Sequence, residues 1–399
     1  MIYYVVAHVC VLALVLFFVL KCAKPDLRWV ILITLLFKLT AGVLVGVLYH
    51  EYYEGGDTIS LFQDSRQLGS MWLGNETDPS FRYADEPRAW QFVQWTAPLV
   101  LVCGGNYWLT SLWISFFAWG ALWMLSVRLV KYLGQSSMLP VMVTFHIWPS
   151  FVFWTSGYLK ESIAVVLMAL IFMGLADLAY RKKTSIWMLL GLLAFLPLFL
   201  LKYYYAALIG GIILPGVLSL RLAGKQKAVI KYGLLFLFIA IGGTLMSRLH
   251  PNLSPQYFLN ALVTNHDATV ALSEPHKMIH FEGLKADWLS VVQHFPNAVM
   301  SGLFRPFLWE AYHPLSYVAA IENSLLMLMV VWSFIRQVKE RCLPGFSGFV
   351  LILFVLVAAG LLAISSPNFG SLMRYKVVFI PVLVGMLLQG ARHSSRKNM

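Results

Sequence analysis

Apolar stretches of roughly 18–22 residues, each long enough to cross a bilayer, recur along nearly the whole of this chain. No other feature limits its fold so strongly. The short polar gaps between the stretches alternate in sign. One set is basic: Lys21/Lys24/Arg28, Arg128/Lys131, Arg181/Lys182/Lys183, Arg221/Lys225/Lys227/Lys231, Arg336/Lys339/Arg341 and Arg392/Arg396/Lys397. These gaps hold 18 of the 30 Lys+Arg but only Asp26, Asp177 and Glu340 of the 18 acids. The positive-inside rule then predicts that they face the cytoplasm. The long loops and nearly all candidate chemical groups fall on the opposite, outer side.

The chain is 59% hydrophobic and 12% charged, with a mean hydropathy of +0.73. A soluble domain would carry about 25% charged residues. The expected fold is therefore all-α and polytopic, one integral-membrane domain over 1–399. The net charge of +12 does not point to nucleic acid, because the excess sits in short turns, where it orients helices and meets anionic lipid. Cys10, Cys22, Cys103 and Cys342 form neither a CxxC nor a Cys/His cluster, so no disulfide framework or zinc site is expected. The first apolar run lacks a basic leader and a small-residue cleavage site, and reads as a retained helix.

Eleven spans are predicted, near 2–21, 29–49, 107–127, 138–156, 161–180, 186–201, 205–222, 229–247, 316–335, 346–364 and 376–391. The N-terminus is then outside and the C-terminus cytoplasmic. Two outer loops are long, about 50–106 and about 248–314. Both contain amphipathic stretches rich in Trp, Phe and Tyr, suited to the membrane interface.

The first outer loop opens with Glu51-Tyr52-Tyr53-Glu54-Gly55-Gly56-Asp57-Thr58, followed by Asp64-Ser65-Arg66. A carboxylate at a bilayer boundary can act as a general base on a hydroxyl or bind a divalent metal such as Mg²⁺ or Mn²⁺. The plainer alternative for Asp57 is a helix cap. The fourth predicted span ends in Trp148-Pro149 through Ser156-Gly157-Tyr158-Leu159-Lys160-Glu161-Ser162. Pro149 and Gly157 interrupt the helix near its outer end. Glu161 suits a helix N-terminus, whereas Lys160 opposes that dipole and could contact a phosphate.

Arg305, in Leu303-Phe304-Arg305-Pro306-Phe307-Leu308-Trp309-Glu310, is costly in apolar surroundings without an anion. Its partner is either Glu310 or a bound phosphate or carboxylate. Arg374 and Lys376, just before the final span, defy the sign pattern of outer loops, and Lys202 beside Tyr203, Tyr204 and Tyr205 adds a further cation. Lys38 and His146 fall inside predicted spans, where quiet pairing in the core is the commoner role. No P-loop, Rossmann fingerprint, HExxH or GxSxG occurs.

Acids for deprotonation, cations for phosphate and aromatic faces for sugar rings together suit a lipid-linked sugar. The layout resembles the integral-membrane glycosyltransferases of the GT-C superfamily. Asp57 matches the position of that family's loop acid, and Pro149, Gly157 and Glu161 loosely match its turn. The chain also resembles bacterial polysaccharide repeat-unit polymerases, through the Gly-x-Asp-Thr-like element, Lys160 opening a mid-chain helix, and Arg374-Tyr375 before a terminal span. One departure is that the long loop follows the second span here, not the first. The resemblance implies a glycosyltransferase of cell-envelope glycan assembly, in the bacterial inner (cytoplasmic) membrane. It would use a polyprenyl-phosphate or polyprenyl-pyrophosphate sugar or oligosaccharide on the outer face. Asp57, Asp64 and Glu161 are the candidate catalytic groups. Lys160, Lys202, Arg305, Glu310, Arg374 and Lys376 are the candidate substrate or phosphate binders. A polymerase or ligase is the alternative enzyme. A lipid-linked glycan flippase is the alternative from another class, and it would need polar groups spread through the spans.

Overall fold

Backbone in lipid has no water to bond, so a segment that crosses must satisfy its own amides, and a helix does so within one segment. The computed structural model describes residues 2–53, 56–75, 80–180, 185–249, 254–341 and 344–395. Glu54, Gly55, the Arg181/Lys182/Lys183 turn, Cys342, Arg396, Lys397 and the side chain of Arg392 lie outside the described residues.

The main helices are α1 (Ile2–Cys22), α2 (Pro25–Val47), α3 (Asp57–Trp72), α4 (Pro87–Val102), α5 (Tyr107–Leu133), α6 (Met138–Met142), α7 (Pro149–Trp154), α8 (Lys160–Ala179) and α9 (Ile186–Leu208). They continue as α10 (Leu214–Ala223), α11 (Ala228–Leu249), α12 (Pro255–Ala271), α13 (Trp288–Phe304), α14 (Pro314–Lys339), α15 (Phe346–Ser365), α16 (Phe369–Tyr375) and α17 (Ile380–Ser395). Among the described residues the β structure is one isolated antiparallel bridge, Met278 to Asn368. Local chemistry sets several starts. Ser185 accepts from the Trp187 amide and Asp287 from the Ser290 amide, as N-caps do. Proline opens α2, α4, α12 and α14, where its missing N–H costs nothing.

Among the described residues, eight helices are long and apolar enough to cross a membrane, or up to nine if a bent pair counts as one span. Much of their surface faces outward. The apolar window of Tyr3–Cys22 is 0% buried within the protein, and Leu192 and Val229 are 73% and 79% exposed. Apolar surface on that scale needs lipid around it. The chain is an all-α polytopic membrane protein.

The expected eleven spans are not reproduced, for local reasons. The segment 138–156 is broken into α6, a π-helical turn at Val143–Ile147 and α7. Trp148, with ψ 115, leaves the helical region just before Pro149, because the proline ring crowds the residue ahead of it. The segments 186–201 and 205–222 join in one run, Ile186–Ala223, of 38 residues. At 1.5 Å per residue that is about 57 Å, far beyond a hydrocarbon core of about 30 Å. The run is interrupted at Lys202, whose φ −145 and ψ 70 are not helical. The last span is the bent pair, Phe369–Val378 with Ile380–Gly390, meeting at 62°.

The chain divides into two compact units that interleave in sequence. The first is Met1–Lys131, Phe145–Met173 and Leu189–Tyr203; the second is Tyr132–Thr144, Gly174–Met188 and Tyr204–Met399. In the first, Ile31, Leu35 and Trp119 are buried together, with the Trp119 indole N–H donating to Thr34 Oγ1 at 3.1 Å. Helices α3 and α4, from the first long loop, pack on each other. In the second, α13 lies on α15 so closely that a Cβ at Gly302 would stand 2.2 Å from the Ala359 carbonyl oxygen. Leu259, Leu262, Ile279, Val291, Ala363 and Leu372 belong to the core there.

Candidate functional site

Helix α3 begins at Asp57 itself, and no side chain caps it. That removes the capping role. The Asp57 carboxylate is exposed and accepts a hydrogen bond from the Tyr83 hydroxyl at 3.3 Å. Tyr83 is buried, and burial with the adjacent Asp57 carboxylate pushes its phenol up to about 12. At neutral pH it is therefore a donor and orients Asp57. Asp64, two turns further into α3, fixes Tyr83 in place. Its two oxygens accept from the backbone amides of Arg82 at 3.3 Å and Tyr83 at 2.9 Å. Asp64 is 4% exposed, so in this structure it fastens the loop.

Lys160 arrives at the same tyrosine from a distant part of the chain. Its Nζ lies 5.9 Å from the centre of the Tyr83 ring, within cation–π range. The turn before it makes this possible. Gly157 has φ +76, and a Cβ there would meet the Gly42 carbonyl at 3.1 Å. Its amide donates to Ser115 Oγ at 2.8 Å. Tyr158 is fully buried, with its hydroxyl 2.7 Å from Ser65 Oγ and 2.6 Å from Thr96 Oγ1. The start of α8 is thus tied to α3 and α4. Arg82 completes the group by donating to Ser60 Oγ at 3.0 Å.

Glu161 and Lys202 meet each other inside the first unit. Lys202 Nζ donates to Glu161 Oε1 at 2.8 Å, with the carboxylate side chain wholly buried and the lysine side chain 7% exposed. Glu161 stands in the first turn of α8, where the dipole favours it. Beside this pair, the Arg88 guanidinium lies 5.4 Å from the Tyr203 ring centre. Lys38 and His146 have local partners: Lys38 bonds Thr155 Oγ1, and a His146 ring nitrogen lies 3.1 Å from Ser126 Oγ.

The second unit holds the other group. Arg305 Nη2 pairs with Glu310 Oε1 at 2.5 Å, and Glu310 Oε2 accepts from the Phe307 amide at 2.8 Å. The guanidinium lies 5.8 Å from the centre of the Phe307 ring and 5.9 Å from that of Phe369. Arg305 therefore abuts α16, the short helix that carries Arg374. Lys376 is 1% exposed. Its three ammonium protons are matched by Leu303 O at 3.1 Å, Arg305 O at 2.9 Å and Asn323 Oδ1 at 3.1 Å. Lys376, expected as a phosphate binder, here ties the end of α13 and Arg305 to Asn323 of α14.

Asp57, Asp64, Lys160, Glu161 and Lys202 belong to the first unit, and Arg305, Glu310, Arg374 and Lys376 to the second. Tyr83, Arg82 and Arg88 carry the first group and escaped the sequence reading. Outer-loop aromatics there looked like interface anchors, and Phe81-Arg82-Tyr83 offers no spacing that marks it. Among the described residues no three His, Cys, Asp or Glu side chains gather to hold a metal, and Glu54, the acid nearest Asp57 in sequence, lies outside them. Comparison of the chain with family models, characterised proteins and solved structures gives no match.

Proposed function

We propose that the protein is a membrane glycosyltransferase of cell-envelope glycan assembly, using a polyprenyl-phosphate- or polyprenyl-pyrophosphate-linked sugar donor. The observation that carries this reading is the meeting of Asp57 and Lys160 on one tyrosine, from positions about a hundred residues apart in the chain. An exposed carboxylate and a cation on the same tyrosine suit transfer from a phosphate leaving group. Asp57 takes the proton of an acceptor hydroxyl. That oxygen bonds to the anomeric carbon as the bond from carbon to the lipid phosphate oxygen breaks. Lys160 stabilises the charge that develops on the departing phosphate. Tyr83 orients Asp57, and the Glu161–Lys202 pair holds the start of α8 in position. The sign alternation of the polar gaps supports an outer-face site with the N-terminus outside and the C-terminus cytoplasmic, and the proposed donor supports a bacterial inner membrane.

A second reading, a repeat-unit polymerase or ligase, draws support from Arg305. Its guanidinium sits within cation–π range of two phenyl rings, one of them on the helix that bears Arg374, as suits orientation of an anionic glycan without a protein base. Both readings are tested in a host lacking the gene. The parent protein restores the envelope glycan. Asp57→Asn, expressed at the parent level, fails to restore it under the first reading and restores it under the second. Arg305→Lys, which keeps charge but loses the planar fork, fails under the second.

A further inference from the structure

Helix α3 buries one face, with Leu61, Ser65 and Leu68 inside the unit. Its opposite face forms an open groove of about 350 Å³, lined by Gln63, Arg66, Gln67 and Ser70. That volume lies within the range of about 300–1,000 Å³ usual for small-ligand clefts. Gln63, Gln67 and Ser70 follow the i, i+4, i+7 spacing of one helix stripe. Ser60 continues the stripe toward the helix start, where Arg82 donates to it and where Asp57 and Tyr83 stand. The groove and the proposed base thus lie on the same helix, α3.

Its chemistry is specific in kind. Among the described residues its lining side chains are amide, hydroxyl and guanidinium groups. Each glutamine amide offers two donors and an acceptor, serine offers both, and arginine offers donors alone. Such a lining matches a ligand that presents many hydroxyls, each needing to give and to take a hydrogen bond. Arg66 lies along the Cys103–Asn106 turn: a Cβ at Gly105, whose φ is +68, would stand 3.1 Å from Arg66 Nε. From Gln63 to Ser70 the helix rises about 10 Å, enough for a short run of linked sugar rings. We propose that this groove is an oligosaccharide-binding subsite, and that, resting on the transferase reading, it seats the acceptor glycan whose terminal hydroxyl Asp57 deprotonates.

Binding is measured apart from turnover. Full-length protein in detergent is titrated with cellotetraose, chitotetraose, mannotetraose and tetragalacturonate, and contact is followed by saturation-transfer NMR. At least one tetrasaccharide binds the parent, and the double variant Gln63→Ala/Gln67→Ala weakens it by about tenfold or more, as loss of two amide partners implies. These side chains face outward, and an unchanged unfolding midpoint confirms that the variant folds. Binding by none of the four, or binding equal in parent and double variant, overturns the subsite. Saccharide binding lost in the double variant, from a parent that transfers no sugar, keeps the subsite and overturns the transferase reading. Transfer by the parent that the double variant matches in acceptor KM overturns the subsite and keeps the transferase.

Discussion

Tyr83 is the residue on which the first group turns, and its ionisation is a direct readout of that environment. Its phenol is pushed from 10.0 to about 12 by burial and by Asp57. A difference titration of parent minus Tyr83→Phe, followed by tyrosinate absorbance, should place the missing phenol near 12, and a midpoint near 10 would mean that the loop is not docked. A phenol with a raised folded pKa contributes stability fully below pH 10 and loses it as pH climbs from about 10 to about 12. The Glu161–Lys202 pair gives a second residue-scale test. Removing one partner leaves an uncompensated buried charge, at a cost of about 3–5 kcal/mol. Lys202→Met and Glu161→Gln should each lower stability in detergent by that order, and the double variant should recover much of the loss. Single variants as stable as the parent would contradict the buried pair. Asp57 and Lys160 were legible as candidates because each breaks an expectation, a glycine-flanked acid at a membrane edge and a cation at a helix start. Tyr83 was not legible, since its role depends on Asp64 amide contacts made across 18 and 19 residues of chain.

The helices show where length and apolarity suffice and where they do not. Spans such as Phe346–Ser365 and Pro314–Lys339 follow directly from the apolar runs. The break at 143–149 does not, because an apolar run looks alike whether its backbone is α or π, and only Pro149 marks the fault. Lys202 was legible as the boundary between the runs 186–201 and 205–222, and its backbone is the non-helical point within the 38-residue run. Lys376 looked like an anion binder because its acceptors, at 303, 305 and 323, are invisible from residue 376. Close helix crossings give the element-scale prediction. Gly302→Ala would press a methyl group against the Ala359 carbonyl on α15, and backbone cannot turn aside as a side chain can. Overpacking of this kind costs about 1–3 kcal/mol, so Gly302→Ala should lower the unfolding midpoint in detergent. Gly120→Ala, with no atom within 4 Å of the added Cβ, should leave it unchanged or raise it.

Across the whole molecule, the exposed apolar helix faces fix an integral membrane protein, and the sign alternation of the polar gaps supplies the proposed sidedness. Cysteines placed at Asn75 and Lys182 should react differently with a membrane-impermeant reagent in whole cells whose outer barrier has been opened. Position 75 should label and position 182 should not; the reverse pattern would put Asp57 on the cytoplasmic side. The most direct test of the account is sugar transfer by the purified full-length protein in proteoliposomes, supplied with a polyprenyl-pyrophosphate-linked sugar and an oligosaccharide acceptor and read by mass spectrometry. The account predicts a glycosidic product from the parent and a rate lower by about 10²–10⁴ from Asp57→Asn, the usual contribution of a general base, with folding unchanged. No product from the parent, or a parent-like rate from Asp57→Asn, would contradict it.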